Sequence, residues 1–463
     1  MSFIDTVINY IPEVAKPTQK RLSFQEKLKW TGIILVIFYL LGVIPLLGLG
    51  VNALANFQFL SIILGAEFGS IISLGIGPIV TASIVLQLLN GSHILKFDLQ
   101  SEEGKRRFTG VQKLLSIFFI VFEAIVYVFL GGLQPNPGGS HISLVLQLML
   151  GGVLILLMDD VISKWGFGSG ISLFIAAGVA KSIMVRFLSP FSTSGGIGFP
   201  FSDQAPVGAL WEIFYGFSVG DPSITLLAAF AILFTILVFV VAVYGQAMKV
   251  EVPLSFGRIR GHGVRWPLAF IYTSNIPVIL IAALLANLQL WARLLENSGR
   301  PFLGIYDPSG SGLSSGLIAW LSPVNIPNNL IVGTLTMTQV LHTLSYVLFL
   351  MLGAVVFSIF WVQTSGQDAR SISKQIMNAG LQIPGFRRDE RVLERLLQRY
   401  INPLTVMGAL TVGFLAALAD VSGALTNGTG LLLTVMIIYR LYEEIAKQHA
   451  MDMFPAMRRF VKT

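Results

Sequence analysis

The chain has 463 residues, of which 54% are hydrophobic and only 12% charged, with a net charge of +7. Soluble domains carry roughly 25% charged residues, and a soluble fold this poor in charge would expose large apolar patches and aggregate. The absence of cysteine excludes a disulfide framework, a thiolate nucleophile and a Cys-based metal site.

In chain order, Phe3, Ile4, Val7, Ile8 and Ile11 have helical spacing. They read either as an amphipathic helix on a membrane interface or as a frayed terminus with chance apolar residues. Residues 1–29 form this N-terminal region. Thr31–Leu49 is apolar and follows basic residues, but it is longer than the roughly 7–15 residues of a signal-peptide core. It reads as a first span.

A spanning helix needs about 20 mostly apolar residues. The expected spans are 30–49, 75–90, 112–131, 142–158, 170–188, 223–245, 268–290, 335–361, 403–419 and 428–442. Segment 53–70 is apolar, interrupted by Glu67 and glycines, and too short to cross. It reads as a half-helix folded back into the outer mouth of the bundle, because such backbone is tolerated only when buried in protein or lining a cavity.

Orientation follows from Lys and Arg. With a cytoplasmic N-terminus, 27 of the 31 basic residues fall in inside segments, and only Lys181, Arg186, Arg293 and Arg300 fall outside. Both termini are then cytoplasmic. Ten spans divide into five and five with opposite orientation, the arithmetic of an inverted repeat. The expected fold is an all-α integral membrane protein with ten transmembrane helices in two inverted five-helix halves around a central pore. The halves are 30–188 and 222–442. An external loop, 189–221, joins them, and a cytoplasmic tail, 443–463, follows. The second half carries two basic cytoplasmic loops, 249–266 and 366–402.

Chemistry-bearing groups are sparse. His93, His141, His262, His342 and His449 are scattered without ligand spacing, so no metal site is expected. There is no P-loop, HExxH or GxSxG, and no catalytic residue or cofactor is expected. Gly166-Phe167-Gly168-Ser169-Gly170 follows a helix rather than a strand, and so reads as a tight turn starting span five. Glu123 is the clearest charge inside a span. It is either functional or a carboxyl linking two helices. Asp159, Asp160 and Asp420 fall near span ends. This scarcity weakens an inverted-repeat secondary transporter of small solutes, the alternative reading.

Two stretches carry a resemblance. They are Leu74-Gly75-Ile76-Gly77-Pro78-Ile79-Val80-Thr81 onward to Leu89, and Met158-Asp159-Asp160 onward through Gly166-Phe167-Gly168-Ser169-Gly170 to Ile175. Further matches are Glu251-Val252-Pro253 with Gly257-Arg258-Ile259, Ser274-Asn275-Ile276-Pro277-Val278-Ile279, Pro403-Leu404-Thr405-Val406-Met407, and Asn427-Gly428-Thr429-Gly430-Leu431-Leu432-Leu433. In this order they resemble the SecY family, the central subunit of the protein-conducting channel. Ile11-Pro12-Glu13 and Glu26-Lys27-Leu28-Lys29-Trp30 look more archaeal or eukaryotic than bacterial. The resemblance carries nothing for 189–221.

The resemblance implies a channel that passes unfolded polypeptides and releases apolar segments sideways into lipid. Its pore ring would be Ile76, Val80, Ile171, Ile175, Ile279 and Leu433, with Ile84 and Leu173 on the opposite helix faces. From the residues alone these are ordinary core side chains; only their motif positions single them out. Segment 53–70 would be the plug. Thr81, Glu123 and Asn275 would be the polar positions of the lateral gate. Arg258, Arg260, Arg387, Arg388 and Arg391 would dock the ribosome, although positive-inside bias also explains such charge. The implied partners are small membrane subunits of the channel (SecE/gamma-type and beta-type), the ribosome, signal sequences, nascent polypeptides and the lipid bilayer, but no DNA. The implied location is the plasma membrane. Energy must come from another motor.

Overall fold

The computed structural model describes residues 13–19, 22–52, 54, 61, 64–91, 94–95, 97, 101–192, 196–200, 203–256, 263–273, 276–297, 299, 301–306, 313–378, 381–382 and 389–453. The expected amphipathic helix at residues 3–11 lies outside them.

The first half holds α1 (Phe24–Val43), α2 (Gly77–Gly91), α3 (Glu102–Phe129), α4 (His141–Trp165) and α5 (Gly170–Leu188). A short helix, α6 (Ala209–Val219), stands within the 189–221 connection. The second half holds α7 (Pro222–Ala247), α8 (Ile276–Asn297), a short α9 (Ile326–Ile331), α10 (Met337–Thr364), α11 (Ala369–Asn378), α12 (Glu390–Val421) and α13 (Gly428–Met453). Each of the ten expected spans falls on one long helix.

Seven of these helices, among the described residues, are long and apolar enough to cross a membrane: α3, α4, α5, α7, α8, α10 and α12. Helix α2 is apolar but shorter. Helices α1 and α13 carry charges at one end, Glu26, Lys27 and Lys29 in the one and Arg440, Glu443 and Glu444 in the other.

Three expected boundaries move, each for a local reason. The first helix begins at Phe24 rather than residue 30, because Ser23 and Glu26 form a reciprocal capping box. The seventh begins at Ile276 rather than 268, because Gly263–Ala269 is a strand. The ninth extends back to Glu390, because Leu393, Leu397 and Ile401 bury one face of its N-terminal part.

The small β content lies between the long helices. Strand β1 (Leu49–Asn52) pairs antiparallel with β2 (Leu133–Pro135). Strands β3 (Lys249–Phe256) and β4 (Gly263–Ala269) form an antiparallel hairpin. β5 (Ile305–Tyr306) pairs with β6 (Leu313–Ser315). β7 (Leu381–Gln382) pairs with β3 through Ser255–Gln382 and Phe256–Leu381. The two basic loops, far apart in sequence, therefore meet in one three-stranded sheet, β4-β3-β7. An apolar cluster of Val252, Leu268, Ile372, Ile376, Leu393, Leu397 and Ile401 supports this platform.

The main core runs between the halves. Helix α2 packs against α8 and α10, and α5 packs against α13. One buried cluster joins side chains of α2, α5, α8, α10, α12 and α13.

Candidate pore, plug and lateral gate

Five of the six side chains singled out for a ring come from α2, α5, α8 and α13, and the sixth, Ile76, immediately precedes α2. Ile76, Val80, Ile175, Ile279 and Leu433 are buried in the main core cluster, and Ile171 is half-buried against it. Ile76 and Val80 share one helical face, as do Ile171 and Ile175. Ile171, Ile175 and Ile279 on α5 and α8 are β-branched, stiff at χ1 and suited to holding the shape of a collar.

One cavity is lined by three of these six side chains, and a second lies beside segment 64–70. The first, about 440 Å³, is lined by Val80, Ile171 and Ile279 at one end and by Gln87, Phe167 and Arg440 further out. The second, about 1080 Å³, is lined by Gly65, Glu67, Lys181, Arg186 and Asn325. The first is also lined by Gly168 and Ser169 of the α4–α5 turn, and the second by Ala66 and Phe68 of segment 64–70. The sequence expectation that Leu173 and Ile84 face away from the axis needs correction. Leu173 also lines the first cavity, and Ile84, four residues beyond Val80, shares that residue's face of α2.

The described part of the folded-back segment is docked against the collar. The Ile76 N–H donates to the Leu64 carbonyl at 2.7 Å. Leu64 and Ala66 are buried. Gly75 makes this approach possible. Its φ is +55°, and a Cβ there would lie 2.2 Å from the Leu64 carbonyl oxygen, so both conformation and space demand glycine. A Cβ on Gly65 would lie 3.6 Å from Phe174 Cβ and 3.8 Å from Ile76 Cγ2. Further out, Glu67 pairs with Lys181 on α5. That ion pair had no local signal in the sequence.

The seam between the halves is polar at one level. Glu123 on α3 is 2% exposed, and its Oε1 lies 3.3 Å from Thr81 Oγ1 on α2. The Thr81 hydroxyl also lies 2.8 Å from the Gly77 carbonyl, a bond within α2. Asn287 Nδ2 on α8 donates to Thr81 Oγ1 at 3.0 Å. Thr81 and Glu123 thus come together as expected. Asn275 lies outside the described residues. Asn287, twelve residues further along, is the partner that sequence reasoning missed. An asparagine within an apolar span was the available signal, since such side chains join helices in membranes.

Of the basic residues singled out for docking, Arg258, Arg260, Arg387 and Arg388 lie outside the described residues. Arg391 is exposed in the first turn of α12, and its backbone N–H donates to Asp389 Oδ1 at 2.9 Å.

Among the described residues, no group of three or more His, Cys, Asp or Glu is placed to hold a metal ion. A charged cluster ties the N-terminal segment to the bundle. Lys164 Nζ bonds Glu13 Oε1 at 2.6 Å, and Lys113 lies 3.6 Å from the same oxygen. The Lys164 hydrogen bond, helped by the Lys113 charge, holds the Glu13 carboxyl below its ordinary value of 4.5.

Known proteins share this fold. The SecY family model matches residues 70–442. The chain is 42% identical over 470 residues to the protein translocase subunit SecY of Pyrococcus furiosus, covering 97% of each chain. It is 41% identical over 458 residues to that of Methanococcus vannielii, covering 99% of each. Among solved structures it resembles a protein-conducting channel, with TM-score 0.82 and 39% identity over 97% of this chain and 98% of that one. It also resembles Sec61 in the canine ribosome–channel complex, with TM-score 0.79 and 38% identity over 97% and 98% of the two chains. The chain is a predominantly helical multi-pass membrane protein, and it belongs to the SecY family.

Proposed function

We propose that this chain forms a channel that carries unfolded polypeptides across the membrane and releases apolar segments sideways into lipid. One observation carries the reading: Val80, Ile171 and Ile279 line a cavity at the junction of the two halves, and segment 64–70 docks beside them through the Leu64–Ile76 hydrogen bond. A narrow aliphatic constriction dewets and resists ions, yet makes no specific bond to a passing chain.

In this reading Ile76, Val80, Ile171, Ile175, Ile279 and Leu433 are the pore ring, and 53–70 is the plug. The chain is a conduit and not an enzyme. Thr81, Glu123 and Asn287 latch the seam between α2–α3 and α8–α10, with Asn275 of the same expected span. An inserting apolar helix tips that latch by replacing helix–helix contacts with its own.

The platform formed by β3, β4, β7 and α12 is the docking face for a ribosome, with Arg258, Arg260, Arg387, Arg388 and Arg391 meeting rRNA phosphates. The solved canine ribosome–channel complex supports this partner. Small membrane subunits complete the channel. The 27 to 4 charge split supports cytoplasmic termini, and the membrane in this reading is the plasma membrane.

Transport by proteoliposomes tests the reading. The reconstituted chain with its small subunits should carry a secretory polypeptide when a ribosome or another motor drives it. Saturable uptake of a small solute without polypeptide transport would favour the transporter instead.

A further inference from the structure

Asp159 and Asp420 sit toward the C-terminal ends of α4 and α12, and each holds the first turn of the helix that follows. The Ile171 N–H donates to Asp159 Oδ1 at 3.0 Å. The Thr429 N–H donates to Asp420 Oδ1 at 2.9 Å. A glycine precedes the bonded residue in both turns and permits a close backbone approach. A Cβ on Gly170 would lie 2.6 Å from Asp159 Cα, and one on Gly428 would lie 1.9 Å from the carbonyl carbon of Ala419. In α5 the residue at the N-cap, Ser169, makes no side-chain cap bond, so the carboxylate from the neighbouring helix takes that place. A negative group there also meets the positive end of the helix dipole.

These two turns occupy equivalent places. Helices α4 and α5 are the fourth and fifth long helices of the first half, and α12 and α13 are those of the second. Aligned on the bonded residues, Gly170-Ile171-Ser172-Leu173-Phe174-Ile175 falls on Gly428-Thr429-Gly430-Leu431-Leu432-Leu433. Four residues beyond each bonded N–H stands a ring residue, Ile175 in one half and Leu433 in the other. Both are buried in the same cluster, and α5 packs directly on α13.

The second carboxylate has an added link. Tyr346 Oη donates to Asp420 Oδ2 at 2.6 Å, and the Thr429 hydroxyl bonds the same oxygen. Tyr346 is buried on α10, a helix of the gate seam. Both α10 and α13 pack on α12, and the carboxylate joins all three.

We propose that Asp159 and Asp420 are paired positioning residues. They fix the axial register of α5 and α13 so that Ile175 and Leu433 meet at the collar, and Asp420 additionally ties the gate helix α10 to that collar through Tyr346. The proposal rests on the channel reading given above.

The test uses the full chain in proteoliposomes, with resting ion flux as the main readout. Leaving the buried partners of these carboxyls unpaired costs enough that Asp159→Ala or Asp420→Ala should raise resting flux roughly tenfold. Asp159→Asn and Asp420→Asn keep an acceptor oxygen and should raise it by roughly two- to fourfold. Disulfide yield between a stalled polypeptide and Ile175→Cys should fall in the Asp159 variants. Yield at Leu433→Cys should fall in the Asp420 variants. Tyr346→Phe removes only the link to α10, so it should raise resting flux less than Asp420→Ala does while increasing transport of substrates with weak signal segments. Ile372→Ala, which opens a hole in the platform core remote from the collar, should lower Tm without a leak.

Should the alanine forms fail to insert, the asparagine forms decide. Asparagine forms that insert and seal like wild type overturn the proposal, whatever their Tm. A leak in Ile372→Ala equal to that of the aspartate variants also overturns it, since loosening alone would then explain the flux. If wild type itself carries no polypeptide, the channel reading fails instead.

Discussion

Asn287 donates its side-chain N–H to Thr81 Oγ1 at 3.0 Å, a bond that crosses from α8 in the second half of the chain to α2 in the first. With Glu123 beside Thr81, it forms a polar point in the seam. A hydrogen bond between helices in a membrane is worth about 1 kcal/mol.

Removing it should shift the balance between closed and open seam roughly fivefold. Asn287→Leu or Thr81→Val should therefore change transport of substrates with weak signal segments far more than transport of those with strong ones. Competitive translocation of the two classes measures this. An equal response of both would remove the latch role.

The ion pair of Glu67 with Lys181 joins the segment proposed as the plug to α5. Both side chains are partly exposed, and exposed pairs contribute only about 0.2–1 kcal/mol and weaken with salt. Lys181→Glu should raise resting ion flux roughly two- to fivefold at low salt and by less at high salt. Adding Glu67→Lys should restore the seal. A double variant that leaks as much as Lys181→Glu would show that the pair does not hold the plug.

Much of the architecture was legible in hydropathy. The positions of the ten long helices follow from apolar runs in the sequence. What was not legible depends on contacts between distant segments. Nothing near Ser255 announces that β3 will pair with Gln382, and nothing near Glu67 announces Lys181. The six collar residues read as ordinary core on periodicity alone, because apolar stripes recur on every helix of the bundle. Asn287 was passed over in favour of Asn275, which stands beside a proline-containing motif. Only the seam geometry shows that Asn287 reaches Thr81.

The platform that joins the two basic loops predicts a shared electrostatic footprint. Arg391→Glu combined with Arg258→Glu and Arg387→Glu should weaken ribosome binding. The slope of log affinity against log salt should fall by roughly one for each phosphate that the arginines no longer neutralise. Binding that is unchanged at every salt concentration would assign these arginines to membrane topology alone.

Glu13 anchors the N-terminal segment through Lys164 and Lys113. Its carboxyl is held below the ordinary value, so the folded state binds its proton more weakly than the unfolded state does. The anchor is therefore fully present above the unfolded value and is lost as pH falls through the lowered one. The Val14 N–H, bonded to Asp160 Oδ2 at 2.9 Å, reports on it. Glu13→Gln should speed hydrogen exchange of that amide roughly two- to fivefold at neutral pH. Exchange unchanged by the substitution would show that the other members of this cluster suffice.

The absence of native cysteine allows the most direct measurement. Single cysteines placed at Ile76, Val80, Ile171, Ile175, Ile279 and Leu433 can be paired with one cysteine in a polypeptide stalled across the membrane. Leu146 and Leu237, both well exposed on the outer surface of the bundle, serve as controls facing lipid. A channel through this collar predicts disulfides at the six positions and little or none at the two controls. Disulfides spread evenly over all eight positions, or confined to the controls, would contradict a pore through the collar.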